Sequence, residues 1–392
     1  EYPTKTFTSL LYSIAEETIP KTSTIPRRNY TPWFDNDCNE AIRTRKKALQ
    51  QFQRHPTRDN MINYKLLHAK SRKTIRLAKK NSWHNFVSKL NSQTPIKKVW
   101  DMVRRISGKN TRQPIQHLKD NNSTITSAKD IANTLAETLS HNSSTEHYTN
   151  EFRRYKNQIE KQRLKFDSDN TEHYNQLFSM DELLDSLHRA KDSAAGPDDI
   201  HYQLLKHLPP PSLQVLLDIF NNIWVTGIFP ESWREATIIP IPKANKDTTD
   251  PNNYRPIALT SCICKTLERM VNNRLIWFLE SNYFLTEFQS GFRKNRTTLD
   301  QLIRLETHIR ESFIKKEHTV AIFFDLEKAY DTTWKHGIMK DLYEMGLRGR
   351  LPIFIQQFLN SRVFKVKVGS TLSDLHDQEM GVPQAFYLLL FL

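Results

Sequence analysis

The sequence predicts an α+β chain in which a basic, helical N-terminal region precedes a region of mixed helices and strands. Three observations carry that expectation. Between Arg43 and Arg105 there are eighteen Lys or Arg and only two acids, Asp59 and Asp101, and apolar residues such as Val99, Val103 and Ile106 recur at helical spacing. Beyond Ser179, amphipathic stretches alternate with short β-branched runs at 236–243, 254–259 and 363–369. Thr319 to Phe324 is a continuous apolar run that reads as a buried strand, and it delivers the chain to Asp325.

The order of elements follows from the same rules. Residues 1–30 are Thr- and Pro-rich and read as a linker. Pro32-Trp33-Phe34 introduces a basic helical connector over 31–110, with Trp83, Phe86, Val87 and Leu90 at helical spacing and Gly108 as its stop. Residues 111–175, rich in Asn, Ser, Thr and His, read as a flexible connector with one helix near Ser127 to Leu139. From 176 to 392 the chain is ordered. Ser179 and Glu182 form a capping box, and a helix over Leu213 to Trp224 stops at Gly227. Ala236 to Lys243 is a strand whose prolines confine it to an edge, and a polar loop joins it to Tyr254–Leu259 as a mobile hairpin. Ser261 caps a long amphipathic helix, the basic turn Gln289 to Arg296 follows, and another helix leads to Asp325. Helices run from Asp331 to Met345 and from Leu351 to Leu359, before an alternating strand at 363–369 and the turn Gly381-Val382-Pro383-Gln384.

Composition narrows the function. At 392 residues, 38% hydrophobic and 26% charged, the chain has room for two or three globular units. Its net charge of +14 favours a polyanionic partner such as nucleic acid, a soluble basic protein being the alternative. Three cysteines exclude a disulfide framework, and Cys262-Ile263-Cys264 lacks a metal-ligand spacing, which points to a reducing, intracellular setting in nucleus or cytoplasm. No stretch approaches a membrane span and no signal peptide opens the chain. It begins at Glu1 rather than Met, and so is expected to be a piece of something longer. Its oligomeric state is left open.

Candidate residues fall into three groups. Asp325 stands at the mouth of a buried strand, where a carboxylate needs a partner. A divalent metal is one, and a helix cap or turn closure is the other reading. Lys243 and Arg255 put two cations on one hairpin, apt for a triphosphate. Arg43, Arg45, Lys46, Lys47, Lys70, Arg72, Lys73, Arg76, Lys79 and Lys80 form either a phosphate-backbone face or a solvated helix face. Arg293, Lys294 and Arg296 add a basic turn.

Phe323-x-Asp325-x-x-x-Ala329-Tyr330-Asp331 resembles the first catalytic motif of reverse transcriptases. Its form Asp325-Leu326-Glu327-Lys328-Ala329-Tyr330-Asp331 is similar to that of LINE-type non-LTR retrotransposons, the jockey-like group in particular. Four further stretches resemble the family's blocks in the family's order: Ala195-Gly196-Pro197-Asp198, Ile239–Lys243 with Tyr254–Ile257, Gln289–Arg296, and Gly381-Val382-Pro383-Gln384. The resemblance implies the fingers and partial palm of a right-hand polymerase. It implies RNA-directed DNA polymerase chemistry by two-metal nucleotidyl transfer on an RNA template, a DNA primer and deoxynucleoside triphosphates. Asp325, helped by the Leu326 carbonyl, would ligate Mg²⁺, and Tyr330 would sit under the incoming sugar. Lys243 and Arg255 would meet the triphosphate, and Gln384 the nucleotide or template. Asp331 reads as a cap of the next helix.

The sequence also departs from the family. Gln384 is followed by Ala385-Phe386-Tyr387 rather than Gly-Ser, and no Tyr-x-Asp-Asp occurs. Two-metal transfer needs more than one aspartate, so the chain as written is expected to be catalytically inactive. Its palm is expected to show an unpaired edge and exposed apolar surface. A non-catalytic RNA- or DNA-binding remnant is the alternative function.

Overall fold

A computed structural model of the chain describes residues 2–19, 31–91, 94, 96–107, 115–120 and 123–382. Residues 31–107 make one unit, and residues 2–19 with 115–382 make the other.

Residues 1–30, expected as a linker, contain helix α1 (Tyr2–Thr18). Its threonines lower intrinsic propensity, and tertiary packing supplies the difference: Phe7 and Leu11 pack on the main core beside Leu204 and Leu208. Phe7, Leu10, Leu11 and Ile14 do stand at i, i+3, i+4 and i+7, a helical stripe among the threonines.

In the other unit, α2 (Asn36–Arg54) is capped by Asp35, whose carboxylate accepts from the Cys38 amide at 2.8 Å. That bond holds the Asp35 carboxyl below its ordinary range. Thr57 caps α3 (Arg58–Val87). The link of a few residues folds α3 back on α2 as a helical hairpin, and small buried residues, Cys38, Ala48 and Ser71, sit in it. The amphipathic α4 (Ile96–Ser107) follows.

Residues 111–175, expected as a flexible connector, are largely built into the second unit. They supply the hairpin β1 (Leu118–Asp120) and β2 (Ser123–Ile125), then α5 (Ala128–Asn142) and α6 (Asn150–Ile159). The capping box of Ser179 and Glu182 opens α7 (Met180–His188). After α8 (Tyr202–Lys206), α9 (Pro210–Thr226) ends at Gly227 in the left-handed region. Next come β3 (Glu235–Pro242), β4 (Tyr254–Leu259), α10 (Cys262–Ser281) and α11 (Thr298–Lys315). The helix expected over 331–345 is broken at Thr333 into α12 (Ala329–Thr332) and α13 (Lys335–Glu344). The described elements close with α14 (Arg350–Leu359), β5 (Val363–Val368), β6 (Thr371–Leu372) and β7 (His376–Asp377). No helix among the described residues is long and apolar enough to cross a membrane.

The main sheet runs β4-β3-β5-β6, with β7 also on β5. β3 is therefore not a simple edge. It pairs antiparallel with β4 from Thr237 to Pro242, and parallel with β5 from Glu235 to Ile238. Pro240 and Pro242 lie beyond that overlap, where no neighbour asks for their missing N–H, and Pro240 faces Pro256. One sheet face, with Ala236, Ile238, Phe364 and Val366, packs on Ile131, Leu135 and Ala136 of α5.

The larger core is helical and surrounds α10, most of whose residues are buried. Two of its charges stand out. The Arg274 guanidinium donates to both Glu182 carboxylate oxygens at 2.9 Å, to the Leu177 carbonyl at 3.0 Å, and to the Tyr174 and Gln176 carbonyls. Glu268 is fully buried, accepts a bond from the Cys264 thiol at 3.0 Å, and has its pKa pushed up to about 7 by desolvation.

The strand expected over 319–324 does not form. Residues 317–326 run without a ladder partner, leaving Phe323 83% and Phe324 89% exposed. An apolar run becomes a strand only where neighbours pair with it and cover it, and no described residue does so. Leu299, Leu302 and Phe313 of α11 are exposed as well.

Arg274→Ala should destabilise this unit by about 3 kcal/mol or more in urea denaturation, because it strands Glu182 and three carbonyls. Glu268 titrates from 4.5 unfolded to about 7 folded. Its contribution is therefore full below its unfolded pKa and lost as pH rises through the folded one. Melting curves should show Glu268→Gln gaining on the wild type as pH is raised from about 5 to about 8.

Candidate nucleotide and nucleic-acid site

Two blocks far apart in sequence meet at α12. Lys328, in the left-handed region at φ +53°, starts that helix, and the amides of Asp331 and Thr332 bond its carbonyl. Against this turn lies the Gly381–Val382 turn. The Gly381 amide donates to the Thr333 carbonyl at 2.8 Å, and that of Val382 to the Tyr330 carbonyl at 2.7 Å. Gly381 has φ +79°, and a Cβ there would sit 2.5 Å from the carbonyl oxygens of Tyr330 and Asp331. Conformation and contact both demand glycine. Tyr330 is half-buried against the helical core, and Val382 is part of it. Gln384 lies outside the described residues.

Among the described residues Asp331 caps no helix. It sits inside α12, half-buried, and lines a cavity of about 30 Å³ with Ala236, Ile238, Pro256 and Val382. Burial raises its pKa, while the charges of Lys328 and Lys243 pull the other way.

The hairpin places both of its expected cations. Arg255 faces Ile241 across the ladder and so shares its face of the sheet, while Lys243 follows the end of β3. The face of Ile241 and Arg255 is the one turned away from α5. Arg255 is exposed, and Lys243 is half-buried with its ammonium on the Asn252 carbonyl at 3.0 Å. The connecting loop, expected to be mobile, is laced by Asp247 to Thr249, by Asp250 to Asn252, and by the Tyr254 hydroxyl to the Thr248 carbonyl.

Asp325 and Leu326 lie on the exposed 317–326 segment, apart from any carboxylate cluster. Among the described residues no group of three or more His, Cys, Asp or Glu could hold a metal ion. A lone aspartate does not fit a two-metal centre. The described residues thus make an incomplete donor set, and no catalytic step is assigned to them.

Of the basic face, Arg43, Lys46, Lys47, Lys70, Arg72, Lys73, Arg76 and Lys80 are exposed, while Arg45 and Lys79 are half-buried. The Lys79 ammonium sits 4.6 Å from the centre of the Trp33 ring. Arg72, Arg76 and Lys80 follow one another at i+4 on α3 and form a stripe. Arg293 differs from the expectation: its guanidinium is committed to Glu280 at 2.8 and 2.5 Å and to the Thr286 carbonyl. Lys294 and Arg296 remain exposed on that turn.

Sequence reasoning missed Lys335. Its ammonium donates to the Gln378 carbonyl at 2.6 Å, tying α13 to the strand before Gly381. Burial lowers its pKa to about 8. A lone lysine at a helix start gives no signal of that contact.

Gly381→Ala should cost about 1–3 kcal/mol in thermal denaturation and free the Val382 amide to exchange. Gly369→Ala, at φ +63° with open space around it, should cost less.

Residues 241–386 match the model of the family described as reverse transcriptase (RNA-dependent DNA polymerase). The chain is 33% identical over 195 residues to the RNA-directed DNA polymerase from mobile element jockey of Drosophila melanogaster, covering 50% of this chain and 21% of that protein. It is 34% identical over 196 residues to the probable RNA-directed DNA polymerase from transposon BS of the same fly, covering 49% and 21%. For that of transposon X-element, also from the fly, the identity is 30% over 206 residues, covering 52% and 22%. The match thus spans little more than a fifth of each relative. The family uses divalent metal ions and takes nucleic acid and nucleotides as substrates. About half of this chain, including residues 241–386, is thus similar to the RNA-directed DNA polymerases of mobile elements.

Proposed function

We propose that the chain supplies the fingers and the front of the palm to an RNA-directed DNA polymerase, gripping an RNA template, a DNA primer and an incoming deoxynucleoside triphosphate. The observation that carries this reading is the docking of the Gly381–Val382 turn on Tyr330. In this reading Lys243 and Arg255 take the triphosphate through charge-assisted bonds. The Tyr330 ring lies under the sugar, where it crowds out a 2′-hydroxyl, and Gln384 meets the nucleotide or template. Asp325 and the Leu326 carbonyl are the chain's ligands toward Mg²⁺, a hard cation that takes oxygen donors.

The exposed cations of α2 and α3, with Lys294 and Arg296, hold the nucleic-acid backbone. Such contacts release counterions and read no sequence. Binding of an RNA–DNA hybrid by the 392-residue chain should therefore fall steeply with salt. Replacing Arg72, Arg76 and Lys80 together by Ala should flatten the log–log salt slope by about 2–3, and Asp325→Ala should leave it unchanged. Salt-insensitive binding would overturn the assignment. Primer extension by a longer protein that contains this chain should be abolished by Asp325→Ala. Hybrid binding with extension that survives the substitution would sink the role of Asp325.

A further inference from the structure

We propose that residues 128–160, which lie outside the stretch matching the family model, are a brace that sets the Lys328–Trp334 turn against the Gly381–Val382 turn, with Asn142 and Tyr148 as positioning residues. The functional meaning of the brace rests on the reading that these two turns line the nucleotide pocket. The brace itself rests on geometry.

The segment grips the first turn at three places. Asn142 at the end of α5 accepts from the Lys328 ammonium at 2.8 Å. The Tyr148 hydroxyl donates to the Thr332 carbonyl at 2.5 Å. Glu160 accepts from the Trp334 indole at 2.9 Å, while Phe152 and Tyr155 of α6 flank that ring at 5.5 and 6.0 Å. It grips the approach to the second turn at three more. Ser140 donates to the Asp377 carbonyl, and the Ser143 carbonyl accepts from the Met380 amide at 2.9 Å. Thr145 gives its amide and hydroxyl to the Glu379 carboxylate.

This matters because little else fixes the first turn. Upstream, residues 317–326 run without a ladder partner. Lys328 holds a positive φ that a long side chain adopts at a cost, and its ammonium is anchored by Asn142. The two turns meet directly through two backbone bonds. The segment therefore acts as a clamp with one jaw on each turn. Burial pushes the Tyr148 phenol up to about 12, so near neutral pH it keeps the proton it donates.

Hydrogen exchange resolved to single amides on the full 392-residue chain tests this. The amides of Asp331, Thr332, Gly381 and Val382 should exchange about tenfold faster in Asn142→Ala and in Tyr148→Phe, with α9 and α10 unchanged. Asn142→Asp, which keeps an acceptor for Lys328, should restore protection. The same two weakening variants should bind deoxythymidine triphosphate several-fold less tightly while holding an RNA–DNA hybrid as the wild type does. Unchanged exchange at the four amides, or acceleration spread evenly into α9 and α10, would overturn the brace. If the wild type takes no triphosphate while the exchange result holds, the nucleotide-pocket reading fails and the brace stands.

Discussion

The Arg274 guanidinium is the interaction on which the larger unit depends. Removing such a group from water costs several kcal/mol, and the cost is offset only when its donors are all used and an opposite charge is close. Here Glu182 supplies that charge in a two-pronged contact, and three carbonyls of the 174–177 stretch take the rest. The Phe178 ring lies 4.1 Å from the guanidinium carbon. Glu182 is shared, because its side chain also accepts from the Ser179 amide in the capping box that starts α7. One cation thus fixes where α7 begins, how the preceding loop turns and how α10 is clad.

From that cladding the functional geometry follows. α10 begins where β4 ends, so the hairpin bearing Lys243 and Arg255 is rooted in the helical core. Gly196 lies against the backbone at Thr260 and Ser261, with no room for a Cβ, which brings the Gly-Pro-Asp turn to the same root. The other sheet face rests on α5, and α5 with the chain beyond it reaches the turns at Lys328 and Gly381. Sheet, brace and turns form one continuous set of contacts.

Much of this was legible in the sequence, and the losses have physical causes. Caps and stops are local, so Ser179 with Glu182, Gly227, and Ser261 ahead of α10 were readable. The Gly381 turn was readable as a turn but not as a contact, since its partners are backbone carbonyls. α1 hid among threonines, although its apolar stripe was present. α5 was readable as the helix near Ser127 to Leu139, whereas α6 was obscured by its polar composition. Arg293 read as a nucleic-acid contact because sequence does not show that Glu280 lies beside it. The run at 319–324 was the reverse case. Its pattern was clear, yet a strand is a relation between segments, and no described segment completes it.

That unpaired run has a consequence for handling the protein. Thr319-Val320-Ala321-Ile322-Phe323-Phe324 is a six-residue window without charge or proline, rich in β-formers and open to solvent, the profile of a segment that stacks on copies of itself. Charged residues stand on both flanks: Lys315, Lys316 and Glu317 before it, Asp325, Glu327 and Lys328 after it. They act as gatekeepers whose desolvation opposes stacking. Asp325, proposed above as a metal ligand, is also one of these flanking charges. Neutralising it removes one gatekeeper charge, so an alanine variant at this position alters the flank of the apolar run as well as the proposed metal ligand.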